Sequence, residues 1–386
     1  MYNFDVLLQR RHTDSTKWDA LKRDFGRDDL MPFWVADADF PILPEIGEAI
    51  RARAGEGTTF GYTFAGDNYF DSIISWNKKR HNLDVLKEEI IPTPGVVTAL
   101  AMILLAVTDK RDRVLINPPV YSPFFEVVNG MDRELIESPL IVQDDRYVLD
   151  FRDMEQKFAA GVKAYVLCSP HNPVGRVWEQ KELEQLVRLC KTYGVILISD
   201  EIHYDIVYSG HRHTPILNVD PQAVLITAPS KTFNIAGLKS SVILVKDPEI
   251  RNCILKWVEN MHLYLNLFAY SATETAYRKG EAWTDEMVDY LEENARFTVD
   301  YIEKEVPGVK SYMPESTYLM WLDFSKYSLS EKELNRKLLE EAKLALNPGA
   351  EYGEGYGQFV RLNIAAPRSY LAEGLLRLKK AFESEV

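Results

Sequence analysis

Residues 164–201 read AYVLCSPHNPVGRVWEQKELEQLVRLCKTYGVILISDE, and this stretch decides the fold. A β-rich run, Ala164 to Cys168, ends at Ser169-Pro170-His171-Asn172-Pro173. A helical stretch follows from Glu179 to Tyr193, where Leu183, Leu186, Val187 and Cys190 recur at i, i+3, i+4, i+7 on one face. Gly194 is placed to stop it, since glycine tolerates the left-handed backbone that closes many helices. A second β-rich run, Val195 to Ser199, ends at Asp200-Glu201. Strand, helix, strand is what a parallel crossover requires.

The pattern extends outward. Arg113 to Ile116 reads as a strand ending at Asn117-Pro118-Pro119, and Ala223 to Thr227 as one ending at Ala228-Pro229-Ser230-Lys231. The middle of the chain is therefore expected to be α/β with a mostly parallel sheet. From about Glu281 the pattern changes: helical segments Glu281 to Val306, Glu331 to Ala342 and Tyr370 to Phe382 flank strand-like Tyr318 to Asp323 and Phe359 to Ile364. With the N-terminal arm these are expected to form a smaller α+β domain. The expected division is 1–45 for the arm, 46–280 for the large domain and 281–386 for the small one.

At 386 residues and 44.3 kDa the chain can bury a large core. A net charge of -13 argues against nucleic acid or an anionic membrane as the main partner. Cys168, Cys190 and Cys253 are too few and too widely spaced for a disulfide framework or a zinc site. The start, Met1 to Asp19, lacks the apolar stretch of a signal peptide, and the longest apolar run, Val96 to Val107, is too short to span a bilayer. A cytoplasmic protein is expected. His211 and His213 alternate in a loop-like stretch and read as exposed surface residues, so no metal is expected. Gly353, Gly355 and Gly357 lack the spacing of a dinucleotide-binding loop.

Ligands of open parallel sheets bind outside the carboxyl ends of the strands. Here those ends carry Tyr121, Asn172, Asp200, His203 and Lys231. Each has an ordinary reading alone: a solvated lysine, a helix-capping aspartate, a core histidine, a packing tyrosine. Convergence of all five on one sheet edge points to a shared site.

That set suits pyridoxal 5′-phosphate (PLP). A carboxylate at Asp200 can keep a pyridine nitrogen protonated, which makes the ring an electron sink. Asn172 can donate to the ring's phenolate oxygen, and Tyr121 offers an aromatic face. Lys231 supplies an amine that condenses with the aldehyde and then moves protons as base and acid. Thr93-Pro94-Gly95-Val96-Val97-Thr98 precedes an apolar helical run, so the Gly95, Val96 and Val97 amides are expected at a helix N-terminus suited to phosphate. Ser230 can add a hydroxyl.

At these residues the chain resembles the fold type I PLP enzymes, the aspartate aminotransferase superfamily, over nearly its full length. Ser169 to Gly175 is similar to that family's Asn-Pro-x-Gly loop. Within the superfamily it is most similar to the cystathionine β-lyase-like C–S lyase branch (cystalysin, MalY/PatB type). The blocks that carry this are Trp34 to Phe40, Ser169 to Trp178, Asp200-Glu201-Ile202-His203 and Ser230 to Gly237.

The resemblance implies a large PLP-binding domain with a mixed, mostly parallel sheet of seven strands between helices, plus a smaller α+β domain. It implies Lys231, Asp200 and Tyr121 as catalytic residues, with Asn172, His203, Ser230 and Gly95 to Val97 also on the cofactor. Arg361, the Ala36 amide and Asn172 are implied for the substrate, Arg361 as a bidentate clamp on the α-carboxylate. Without the family, Arg361 reads as a surface ion pair. Tyr62 is implied to reach the phosphate of the neighbouring subunit, making the active unit a homodimer. Two positions depart from the aminotransferases: His203 stands where they place tyrosine, and Lys239 where they place arginine. The histidine agrees with the lyase branch.

The expected activity is elimination of a thiol from L-cystathionine or a related L-cysteine derivative, giving pyruvate and ammonia. An aminotransferase acting on a small amino acid is the alternative. A regulatory, protein-binding role on the same scaffold is a third.

Overall fold

Runs rich in Val, Ile and Leu become strands, and seven of them pair into one sheet. They are β1 (Ile90–Thr93), β2 (Arg113–Ile116), β3 (Glu134–Glu137), β4 (Val162–Cys168), β5 (Ile196–Asp200), β6 (Val224–Thr227) and β7 (Ser241–Val245). Their order is β1-β7-β6-β5-β4-β2-β3. Strands β3, β2, β4, β5 and β6 run parallel, while β7 is antiparallel to both its neighbours, β6 and β1. Two reversals cancel, so β1 runs with the parallel set. Six strands therefore send their carboxyl ends to one edge.

The computed structural model describes residues 2–383, and the ends of the expected arm and small domain, Met1 and 384–386, lie outside them. Contacts divide the chain into two units. The larger holds the seven-stranded sheet and comprises 42–171 and 176–284. Its central strands are apolar because both faces are covered: Val114, Ile116, Ala164, Val166, Ile198, Val224, Ile226 and Ile243 pack with Ala99, Leu100 and Ile103 of helix Val96–Val107, and Leu115, Tyr165, Leu197, Leu225 and Leu244 are buried on the other face. Each large aliphatic side chain so buried stabilises the unit by roughly 1.5–3 kcal/mol. The crossover helix runs Gln180–Tyr193, capped by a Glu179–Glu182 box and ended by Gly194 at φ 67°. Its buried face is Leu183, Leu186, Val187 and Cys190, the four residues that its periodicity predicts. Strand β4 begins two residues earlier than its sequence suggests, because Val162 is buried and pairs with Arg113.

The smaller unit takes the chain through Pro41, the insert Asn172–Gly175 and the chain from Asp285 onward. Its sheet is antiparallel, ordered β8-β9-β11-β10 from β8 (Lys310–Ser311), β9 (Leu319–Asp323), β10 (Asn347–Pro348) and β11 (Phe359–Asn363). Met31–Pro32 pairs in parallel with Leu344–Ala345, which ties the arm into this unit. The layout is the α/β plus α+β arrangement expected of the aminotransferase fold. Among the described residues no helix is long and apolar enough to cross a membrane.

Candidate active site

In the larger unit, Asp200 is the last residue of β5 and is 3% exposed. Its Oδ1 accepts from the Ile202 amide at 3.1 Å. Burial pushes its carboxyl up to about 7; the charge of Glu201 adds to this, while the Ile202 N–H and the Lys231 ammonium pull the other way. Lys231 follows β6, and its electrostatic pull on Asp200 puts the two groups in one locality.

The turn bearing Lys231 is closed by Phe233 N to Pro229 O at 2.9 Å and Ile235 N to Ser230 O at 3.1 Å. Thr232 donates to Asp205 Oδ2 at 2.8 Å, and Asp205 Oδ1 also receives Trp76 Nε1 at 3.1 Å and lies 2.7 Å from His81 Nε2. Tyr121 is half-buried beyond β2, edge-on to Phe124. Two residues before it, Pro119 O lies 2.8 Å from His171 Nε2, a ring that burial holds neutral down to about 4. His203 is buried, three residues beyond Asp200.

Helix Val96–Val107 starts at the same edge, after β1. Gly95 is its N-cap at φ 117°, a backbone angle open to glycine, and no side chain caps the helix. The Gly95 amide is already given to Thr93 O at 2.9 Å and Ser241 Oγ at 3.0 Å. The Val96 and Val97 amides are the ones a helix start leaves without intrahelical acceptors. Lys239 is exposed, at φ 54°.

The smaller unit holds the second group. Arg361, on β11, is only 4% exposed, so it is no surface ion pair. Its acceptors are neutral: Trp34 O and Asn347 Oδ1, each 2.7 Å from Nη2, and Asn172 Oδ1, 3.3 Å from Nη1. Its Nε is buried without a hydrogen-bond partner. A buried cation with an open donor favours an anionic ligand. Ala36 lies in the arm, its carbonyl accepting from the Tyr318 hydroxyl at 3.0 Å.

The predicted residues thus fall into Gly95 to Val97, Tyr121, Asp200, His203, Ser230 and Lys231 in the larger unit, and Ala36, Asn172 and Arg361 in the smaller. Tyr62 joins neither group and is fully exposed. Sequence reading missed Asp205, Glu201, Asn363 and Tyr318. It also misplaced His213, which is buried at 7% exposure with Nε2 2.7 Å from Glu201 Oε2. The alternating His-Arg-His looked like a surface loop, but a buried carboxylate draws one ring inward.

The sequence pattern of the family Aminotransferase class I and II matches residues 28–378. The chain belongs to that family. Cystathionine β-lyase PatB of Bacillus subtilis is 41% identical to it over 98% of this chain and 99% of the relative. Among solved structures, a PLP-bound protein from Clostridium difficile 630, provisionally named an aminotransferase, superposes with a TM-score of 0.96 at 40% identity, covering 99% of this chain and all of its own. Cystalysin from Treponema denticola, which contains PLP, gives 0.95 at 34% identity, covering 99% of each chain. This family member is a fold type I PLP enzyme closely related to the cystathionine β-lyase and C–S lyase branch. Its residues fit the cofactor. Asp200 has the raised proton affinity that a ring nitrogen can share, and an uncapped helix terminus offers amides for phosphate.

Proposed function

We propose that the protein is a C–S β-lyase that releases a thiol from L-cystathionine or a related L-cysteine derivative, leaving pyruvate and ammonia. The near full-length relation to PatB, itself named a cystathionine β-lyase, is the observation that supports this most. Bound PLP supplies an electron sink for the charge left at Cα. Lys231 binds the cofactor, takes the Cα proton on its amine and returns it to the leaving sulfur. Asp200 keeps the ring nitrogen protonated, and the Val96 and Val97 amides hold the phosphate with the Ser230 hydroxyl. Tyr121 and His203 line the ring, and the Asn172 amide donates to the ring oxygen. Arg361 and the Ala36 N–H hold the substrate's α-carboxylate. Either edge of a guanidinium uses an Nη2 hydrogen for a two-pronged grip, and Trp34 and Asn347 already share that atom. The grip therefore exchanges one of those bonds for substrate.

Incubation of the PLP-loaded protein with L-cystathionine is expected to yield thiol, pyruvate and ammonia in equal amounts, and Lys231→Ala to abolish all three. Amino transfer to a 2-oxo acid without thiol release would overturn the lyase reading. The provisional name of the Clostridium difficile protein favours that second reading, so both products are to be measured together.

A further inference from the structure

Five successive carbonyls of the arm, from Trp34 to Ala38, are each held by a side-chain donor of the smaller unit. Arg361 Nη2 takes Trp34 O at 2.7 Å, and the Tyr318 hydroxyl takes Ala36 O at 3.0 Å. Lys17 Nζ reaches Asp37 O at 3.1 Å, and Arg10 Nη1 reaches Ala38 O at 3.1 Å. Asn363 contributes twice: its Nδ2 donates to Val35 O at 2.6 Å and to Asp37 O at 2.8 Å. Its Oδ1 accepts from the Ala365 amide at 2.8 Å, which fixes which way the amide faces. Asn363 is 1% exposed.

Arg361 and Asn363 are two apart on β11, so they leave the same face of its sheet. The peptide joining Val35 to Ala36 is trans. In a trans peptide the C=O and the following N–H point in opposite directions. Holding Val35 O therefore also sets the direction of the Ala36 N–H. One strand thus orients both donors assigned to the substrate carboxylate: the guanidinium directly, and the amide through Asn363.

We infer that Asn363 is a positioning residue that presets the α-carboxylate site. The inference rests on Arg361 and Ala36 as the carboxylate binders. The arm's conformation is fixed before substrate arrives, so little ordering cost falls on binding. Replacing Asn363 by Asp keeps size and shape but turns the donor that grips two carbonyls into an acceptor. Val35 O and Asp37 O then face a repelling oxygen; the Asp37 amide and Lys17 Nζ still reach them, at 2.9 and 3.1 Å, but the peptide bearing the Ala36 N–H loses the side chain that aims it.

The test compares L-methionine with 3-(methylthio)propylamine, the same molecule without its carboxylate, on the full-length PLP-loaded protein. Dissociation constants are read from the immediate shift in cofactor absorbance. Asn363→Asp is expected to weaken the acid at least tenfold and the amine less than twofold, with PLP affinity unchanged. Equal losses for both ligands, or none for the acid, would overturn the inference. Neither ligand carries a β leaving group, so failure of the lyase reading leaves this comparison intact. Should the Asp variant not fold, Tyr318→Phe removes one hydroxyl from the same segment and is expected to give about a threefold loss confined to the acid. Absence of that selectivity would equally overturn it.

Discussion

Asp200 is raised from 3.8 to about 7 chiefly by burial, and the gap corresponds to a few kcal/mol at about 1.36 per unit. The folded, PLP-free protein holds this proton more tightly than the unfolded chain does. Stability from this group is therefore present below about pH 4, is lost as pH rises towards 7, and is absent above that. Asp200→Asn removes the buried charge at high pH without changing shape. It is expected to raise the melting temperature of the PLP-free protein at pH 8 by a few degrees, and to give no gain at pH 4. Turnover should fall by roughly 10²–10³, the usual loss when an aimed electrostatic partner is removed. Thermal scans at the two pH values and steady-state rates check both halves. A variant that is no more stable at pH 8 would mean that burial is not what holds the carboxyl up.

At the scale of elements, the turn carrying Lys231 depends on the carboxylate of Asp205. Asp205 is fully buried, and Thr232 supplies its Oδ2 with a hydrogen bond. Thr232→Val deletes that bond and leaves a buried carboxyl oxygen short of a donor, at a cost of about 1–3 kcal/mol. Denaturant unfolding is expected to show that loss, and cofactor absorbance an altered pH midpoint; a variant equal to the parent in both would remove Asp205 from the account. None of this was readable in the sequence. Asp205 meets Thr232, His81 and Trp76 at separations of 27, 124 and 129 residues, and no local pattern encodes such meetings. Asn363 escaped notice for the same reason, since its partners lie 328 and 326 residues away. The parallel crossover was legible because its signal is local: one apolar helical face, one stop glycine, two apolar runs. The strand-end residues were legible because a parallel sheet has a single edge where such side chains can gather.

For the whole molecule, Phe60, Tyr62 and Phe64 are 65%, 112% and 83% exposed, three aromatic rings in five residues. Such a stretch needs cover, and we propose that a second copy supplies it, with Tyr62 serving the neighbouring subunit's phosphate. Light scattering is expected to give twice 44.3 kDa, and Phe60→Asp with Phe64→Asp to shift the protein to monomer and weaken PLP retention. A parent protein that is monomeric at micromolar concentration would rule this out. The reversed strand β7 bears on how the molecule comes into being. Thr93 Oγ1 and Ser241 Oγ lie 2.8 Å apart across 148 residues of chain, and Ser241 also holds the Gly95 amide. On a ribosome adding roughly 5–20 residues per second, about 7–30 s separate the synthesis of these two ends. A nascent chain that already displays Gly95 to Val97 has only the local Thr93 carbonyl on the Gly95 amide, so this helix start gains its Ser241 brace late in synthesis.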